Sequence, residues 1–292
     1  MCREIGLRGH FNMIDYDSFI EQGYFIVNFE NCQAISEISQ LCERICKEQF
    51  EDRFTCLADY HKIDVDKVAH EKLQYRLFQE INAGKIHHKL VKDNLDFFVP
   101  LIGPDIDIQT ECYLRIARPG QENDNIGLHR DTDYGNSAFE ISISVPLIDQ
   151  GGGTGLCVVP GSHKLDEYST VQVSRTDVEK GSDKNKMGFL YAPKVPQNIS
   201  QDDVKCISLR MGQGLGFTLG LIHGQGANSG MDTRWSIDFR FKNSFYPLSS
   251  NLKEQYYSNL MSSPVTRLAS DYYAANKAEA SALTFDPVLK NK

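Results

Sequence analysis

The sequence predicts an α+β, mainly β fold, with helices flanking a β core in one domain of 292 residues. Two observations predict it. Across residues 1–100, apolar residues recur at helical spacing, as at Ile35, Ile38, Leu41, Ile45 and Cys46. From Ile106 to Phe245 the texture changes to short alternating runs broken by Gly, Pro, Asn and Asp, such as TECYLRIARPG, FEISISVPLIDQGGG, TGLCVVPGSHK and TRWSIDFRF. Many short strands with frequent turn signals suggest a sandwich or barrel.

Taken in order, Asp15-Tyr-Asp-Ser-Phe-Ile-Glu opens an amphipathic segment, and Gly23-Tyr-Phe-Ile-Val-Asn-Phe reads as a short strand. Residues 33–49 form a helix, and residues 66–98 are helical with a break at Gly84. This helical support runs to about residue 100, the β core covers about 101–245, and a tail at 246–292 is helical and Tyr-rich over 251–280. Residues 166–200 are polar and aperiodic, a long insertion of the kind that often serves as a lid. No linker or internal repeat divides the chain.

Composition narrows the function. A net charge of −8 and a pI near 5.5 argue against a general nucleic-acid binder. No apolar run reaches the roughly 18 residues of a membrane span. The N-terminal MCREIGLRGHF lacks the apolar stretch of a signal peptide. The eight cysteines are scattered, and Cys42 and Cys46 have no second pair to complete a zinc site. They read as free, mostly buried thiols of a cytoplasmic protein.

The chemistry is concentrated in Gly127-Leu-His129-Arg-Asp131-Thr-Asp133. On a strand, residues i and i+2 share a side, so His129 and Asp131 would converge on one point. His223, closing the apolar run GFTLGLIH, is the candidate second imidazole. Two His and one carboxylate on one face of a metal leave open positions for a bidentate cosubstrate and O2, the ligand set of non-haem iron(II) oxygenases. His-x-Asp alone is more often a surface histidine beside a carboxylate, and a histidine after an apolar run is usually structural. Arg234 raises the odds, because a guanidinium can hold the far carboxylate of a dicarboxylate cosubstrate through two parallel hydrogen bonds.

The strand patterns add to this. In RWSIDFRF, Arg234, Ser236, Asp238 and Arg240 share one face, and Trp235, Ile237, Phe239 and Phe241 the other. In FEISISV, Glu140, Ser142 and Ser144 oppose Phe139, Ile141, Ile143 and Val145. The polar faces are either solvated or line a polar interior suited to a polar substrate.

The segment from about Gln109 to Phe241 resembles the phytanoyl-CoA dioxygenase family of iron(II)/2-oxoglutarate oxygenases. The matching elements are YLRIARPG ahead of His129-Arg-Asp131, VVPGSHK at 158–164, then His223, Asn228 and Arg234. They span roughly half the chain. The resemblance implies a double-stranded β-helix (jelly-roll, cupin-like) with helices packed on one side. It implies Fe(II) held by His129, Asp131 and His223, and Arg234 on the C5 carboxylate of 2-oxoglutarate. Halogenating relatives replace the metal carboxylate with a small residue, so Asp131 looks like the mark of a hydroxylase. The expected reaction oxidises an unactivated C–H bond with O2 and releases succinate and carbon dioxide.

Tyr113 and Gln225 are candidates for cosubstrate contact. Asp133, Tyr134, Arg115, Asn228 and Asp238 are candidates for substrate contact. The plainer readings are that Arg115 pairs with Asp238 and that Asn228 holds a turn. His163 reads as structural, and His87 and His88 as solvated. The favoured function is oxidation of a small polar metabolite, such as a sugar or amino-acid derivative, by hydroxylation, ring closure, desaturation or epimerisation. An acyl-CoA or lipid hydroxylase, a zinc hydrolase, and a cupin-like or lectin-like binding module are the competing readings.

Overall fold

The N-terminal elements follow from their capping residues and apolar spacing. In the computed structural model, which describes residues 14–165, 168–247 and 255–275, Asp15 caps α1 (Tyr16–Gln22) by accepting from the Ser18 N–H, and Gly23, at φ +81°, ends it. β1 (Tyr24–Asn28) follows at once. α2 (Gln33–Phe50) buries Ile35, Ile38, Cys42, Ile45 and Cys46 on one face. α3 (Lys67–Ala83) starts at Asp66, whose carboxylate accepts from the Ala69 N–H, and stops at Gly84. α4 (Ile86–Lys92) and α5 (Leu95–Ile102) complete the helical layer. The N-terminal MCREIGLRGHF, with Cys2, lies outside the described residues.

The strands are β2 (Ile106–Gln109), β3 (Tyr113–Ala117), β4 (Ile141–Pro146), β5 (Leu156–Val158), β6 (Thr170–Gln172), β7 (Lys194–Pro196), β8 (Lys205–Ile207), β9 (Gln213–Thr218), β10 (His223–Gly224), β11 (Arg234–Asn243) and β12 (Tyr257–Met261). α6 (Asp183–Lys186) lies between β6 and β7, and α7 (Pro264–Ala275) follows β12. The large sheet runs β1-β9-β4-β11-β2-β12, with β3 also on β11. A smaller sheet runs β10-β5-β8, and β6 pairs with β7. Every strand pairing among the described residues is antiparallel.

Alternation on β4 and β11 sets the layers. Ile141, Ile143 and Val145 join Trp235, Ile237, Phe239 and Phe241 in one core with the helices. Fully burying a side chain of this size contributes about 1.5–3 kcal/mol. Trp235 also donates its indole N–H to the Leu57 carbonyl at 2.8 Å. On the opposite side of β9, Leu215 and Phe217 pack with Val158 and Ile207 of the smaller sheet. The result is a jelly-roll-like pair of antiparallel sheets with helices on the outer face of the larger one.

Four expectations are corrected. The tail is not wholly helical: β12 adds to the edge of β2, and buried Tyr257 donates its hydroxyl to Glu140 at 2.6 Å. The rest of the tail, 276–292, lies outside the described residues. The insertion at 166–200, described except for 166–167, is ordered by the β6–β7 hairpin, α6, and Val178, Met187 and Phe189, which bury against Phe78. Cys157 and Cys206 are not free thiols but form a disulfide, because they stand directly opposite in the β5–β8 pairing. Cys32, Cys42, Cys46, Cys56 and Cys112 are free. His87 is not solvated: it is fully buried, its Nε2 sits 2.9 Å from the Gln109 carbonyl, and burial pushes its pKa down to about 3.

Candidate metal centre and its cavity

His129 and His223 face each other across an antiparallel bridge, each backbone N–H donating to the other's carbonyl at 2.9 Å. Directly opposed residues present their side chains on the same face, so the two rings lie 4.4 Å apart between centroids. Gly224 permits this approach. Its φ is +134°, and a Cβ there would sit 2.4 Å from the Gly127 carbonyl oxygen.

Each Nδ1 lies against the carbonyl two residues earlier, Gly127 at 2.8 Å and Leu221 at 2.9 Å. A carbonyl only accepts, so Nδ1 carries the proton and each Nε2 keeps its lone pair. Asp131 Oδ1 lies 3.6 Å from His129 Nε2, and Oδ2 lies 3.9 Å from His223 Nε2. The ligand atoms of the three residues fall within 4.8 Å of one another, and all three residues are buried.

The electrostatics suit a cation. Burial alone would raise the Asp131 pKa. Arg240, with Nη2 2.9 Å from Oδ2, outweighs it and holds the carboxyl well below the usual range. Burial, then the neighbouring His129, push His223 down to about 4. An ionised carboxylate and imidazoles with free lone pairs are the forms that ligate a metal. This donor set suits a divalent transition metal bound on one face.

Strand parity fails one residue after the motif. Asp131 opens a 3-10 turn, Asp131–Tyr134, so Asp133 points away from the cavity. Its carboxylate accepts from the Tyr168 hydroxyl, and its carbonyl accepts from Lys194 Nζ at 2.8 Å. Tyr134 does line the cavity, with its hydroxyl accepting from the Lys194 N–H at 2.7 Å.

The metal group opens onto a cavity of about 260 Å³. The inward row of β11 places Arg234, Asp238 and Arg240 in its wall. Arg234 is 5% exposed; it donates from Nη1 to Gln225 Oε1 and from Nη2, at 2.7 Å, to Asn125 Oδ1. Both partners are neutral amides. Arg234 Nε and Asn125 Nδ2 are buried without a partner. Burial pushes the Arg234 pKa down to about 10. Gln225 is anchored in turn on the Gly153 carbonyl at 2.9 Å, so it braces the guanidinium.

The other candidates divide. Arg115 Nε donates to Asp238 Oδ2 at 3.0 Å, while Asp238 Oδ1 is left unpaired. Tyr113 lines the cavity, its ring against Gly188 and 5.2 Å from the Arg115 guanidinium carbon. Gly188, at φ +83°, leaves no room for a side chain there. Asn228 is outside the cavity and only braces backbone: it donates to the Ala117 and Asp232 carbonyls and accepts from the Gly230 N–H. His163 is structural, with Nε2 2.9 Å from the Ile20 carbonyl.

Sequence reasoning missed three residues. Arg240 shares strand parity with Arg234, but only the fold brings it to Asp131. Asn125 and Tyr256 sit in irregular chain, where no periodicity marks them.

Among known proteins, no family model and no curated protein matches this chain. Solved structures do. The non-heme monooxygenase ThoJ in its apo form superposes with a TM-score of 0.53 at 15% identity, covering 94% of this chain and 99% of that one. The ThoJ–Ni complex gives 0.50 at 14% identity over 91% and 96%. The epimerase SnoN, solved with Fe3+, alpha ketoglutarate and nogalamycin RO, gives 0.46 at 13% identity over 84% and 96%. The likeness to ThoJ is one of fold, and it extends over nearly the whole of both chains.

Proposed function

We propose that the chain is a single-domain Fe(II)/2-oxoglutarate-dependent dioxygenase of the phytanoyl-CoA dioxygenase type, built on a double-stranded β-helix. Its substrate is a small polar metabolite. The observation that carries this reading is the pairing of two features in one cavity: a His129–Asp131–His223 group with free lone pairs, and a buried Arg234 held only by neutral amides. The fold likeness to ThoJ, named a non-heme monooxygenase and solved with nickel, agrees with it.

Ferrous iron with 2-oxoglutarate and O2, when bound, supplies oxidation of a C–H bond with release of succinate and carbon dioxide. The chain supplies position. His129 and His223 offer Nε2, and Asp131 offers a carboxylate oxygen oriented by Arg240. Arg234 offers its unpaired Nε–H, with its amide-bound donors, to the far carboxylate. Leu156, Phe189 and Phe217 limit water around the site. The segment carrying Phe189 is tied over the cavity by the Arg115 hydrogen bond to the Met187 carbonyl at 2.9 Å. The polar wall, with Ser142, Asn136 and Tyr113, suits a polar substrate better than an acyl chain. A zinc hydrolase or a lectin-like module would leave the buried guanidinium of Arg234 without a use.

We place the enzyme in the cytoplasm. No helix among the described residues is long and apolar enough to cross a membrane, and the free thiols fit a reducing compartment, where one disulfide would be a local exception.

The test is succinate formation from 2-oxoglutarate by protein loaded anaerobically with Fe(II) and then exposed to air, with Asp131→Ala as control. Under nitrogen, the visible charge-transfer band of iron-bound 2-oxoglutarate is expected as well. Loss of both signals in folded, iron-loaded protein would overturn the reading.

A further inference from the structure

The charge around the cavity narrows the class of molecule it accepts. The charged side chains lining it are Arg115, Asp131, Arg234, Asp238 and Arg240, three guanidinium groups against two carboxylates. The imidazoles of His129 and His223 spend their Nδ1–H on carbonyls and enter as neutral ligands. On the proposed function, a divalent metal and a dicarboxylate cosubstrate cancel each other. The loaded cavity therefore keeps one positive charge in a largely dry space, where an uncompensated charge is costly.

That charge can be located. Arg115 is matched by Asp238 at 3.0 Å. Arg234 is matched by the far carboxylate of the cosubstrate. Arg240 has only Asp131, at 2.9 Å, and must share that carboxylate with the metal. Among the described residues no other carboxylate pairs with its guanidinium, which lines the cavity and is not one of the buried, unpartnered groups. Arg240 lies six positions along β11 from Arg234, about 20 Å of extended strand, so a cosubstrate carboxylate seated on Arg234 does not serve Arg240. Tyr113 and Tyr256 lie in the wall beside it.

We infer that the primary substrate is an anion, and that its carboxylate or phosphate group binds Arg240 while the rest of the molecule faces the metal. This deepens the oxygenase reading and rests on it. Arg240 then has two roles: it orients Asp131 and selects for negative charge.

The experiment uses the whole chain loaded with Co(II) and saturating 2-oxoglutarate under nitrogen. Paramagnetic relaxation is measured for two matched pairs of small probes: inorganic phosphate against trimethyl phosphate by 31P, and acetate against acetamide by 1H. One or both anions should show saturable relaxation that their neutral partners lack, and the pair that responds separates phosphate from carboxylate chemistry. Arg240→Gln should weaken the anion effect at least ~10-fold, as expected for loss of a charge-assisted contact, and Arg240→Lys should retain most of it. Should Arg240→Gln fail to load cobalt, Tyr256→Phe decides, with a smaller loss expected. Equal relaxation by the neutral probes, an anion effect unchanged in these variants, or weakening of 2-oxoglutarate binding alone would overturn the inference. The visible cobalt spectrum reports loading separately. If 2-oxoglutarate leaves that spectrum unchanged in the native chain, the oxygenase reading itself fails.

Discussion

Replacing Arg234 with Met separates a binding role from a structural one. The guanidinium is buried, and burial pushes its pKa from 12.5 down to about 10. At about 1.4 kcal/mol per factor of ten, that opposes folding by roughly 3 kcal/mol at neutral pH. The substitution would remove this cost but strip a donor from Gln225 Oε1 and from Asn125 Oδ1, at about 1 kcal/mol each. The variant without ligand should therefore be as stable as the native chain or slightly more so, by about 1 kcal/mol and hence about 2 °C at roughly 2 °C per kcal/mol. Breaking an ordinary buried ion pair would instead cost about 3–5 kcal/mol. Ligand binding gives the complementary result. At a hundred times its Kd, 2-oxoglutarate should add about 2.7 kcal/mol to the nickel-loaded native protein, and that increment should vanish in Arg234→Met while the nickel increment remains. The assay is thermal unfolding with chelator, with Ni(II), and with Ni(II) plus 2-oxoglutarate. A large fall in Tm without ligand, or a surviving 2-oxoglutarate increment, would refute the reasoning.

Three further outcomes are expected. Asp131→Ala should abolish the nickel-dependent rise in Tm, measured by the same scans, because it removes the only carboxylate of the ligand group. Stability should fall in acid through His70 and His87, buried with pKa values pushed down by burial to about 4 and about 3. Well above pH 6.5 both are neutral folded or unfolded; as pH falls below 6.5 the unfolded chain takes up protons that the folded one refuses. Urea unfolding at pH 5 should therefore show a loss of about 2 kcal/mol per histidine relative to pH 7.5, absent if either ring is solvated. Cys206→Ser should lower the stability of the oxidised protein by up to ~4 kcal/mol, the scale for a crosslink closing a loop of this length. Reductant should erase the difference from the native chain.

Much of the architecture was legible because it depends on parity and spacing. The alternation in RWSIDFRF gave both faces of β11, and the apolar row does meet the helices while the polar row meets the cavity. The helix break at Gly84 follows from its glycine and is where α3 ends. What failed depended on local turns or on distant partners. Asp133 is a candidate for substrate contact from its place in the motif, but the chain turns into a 3-10 helix at Asp131 and carries it elsewhere. Arg240 lay on the right face, yet its contact with Asp131 comes from the packing of two segments far apart in sequence. Cys157 and Cys206 are separated by the insertion, so their apposition exists only in the β5–β8 register. β12 was hidden because its stabilising partner, Glu140, lies far away in the sequence.

The two faces of β11 also constrain how such a protein can change over generations. Trp235, Ile237, Phe239 and Phe241 are locked into the helix-packed core, whereas Arg234, Asp238 and Arg240 line the cavity. A lineage can therefore exchange a cavity-facing residue such as Asp238 and acquire a different substrate while the odd-numbered ones hold the scaffold still. A single inserted or deleted residue within the strand would exchange the rows, driving charges into the core and aromatics into the cavity. New specificities in proteins of this build should accordingly arise by substitution on this strand, and changes of length should be confined to the loops around it.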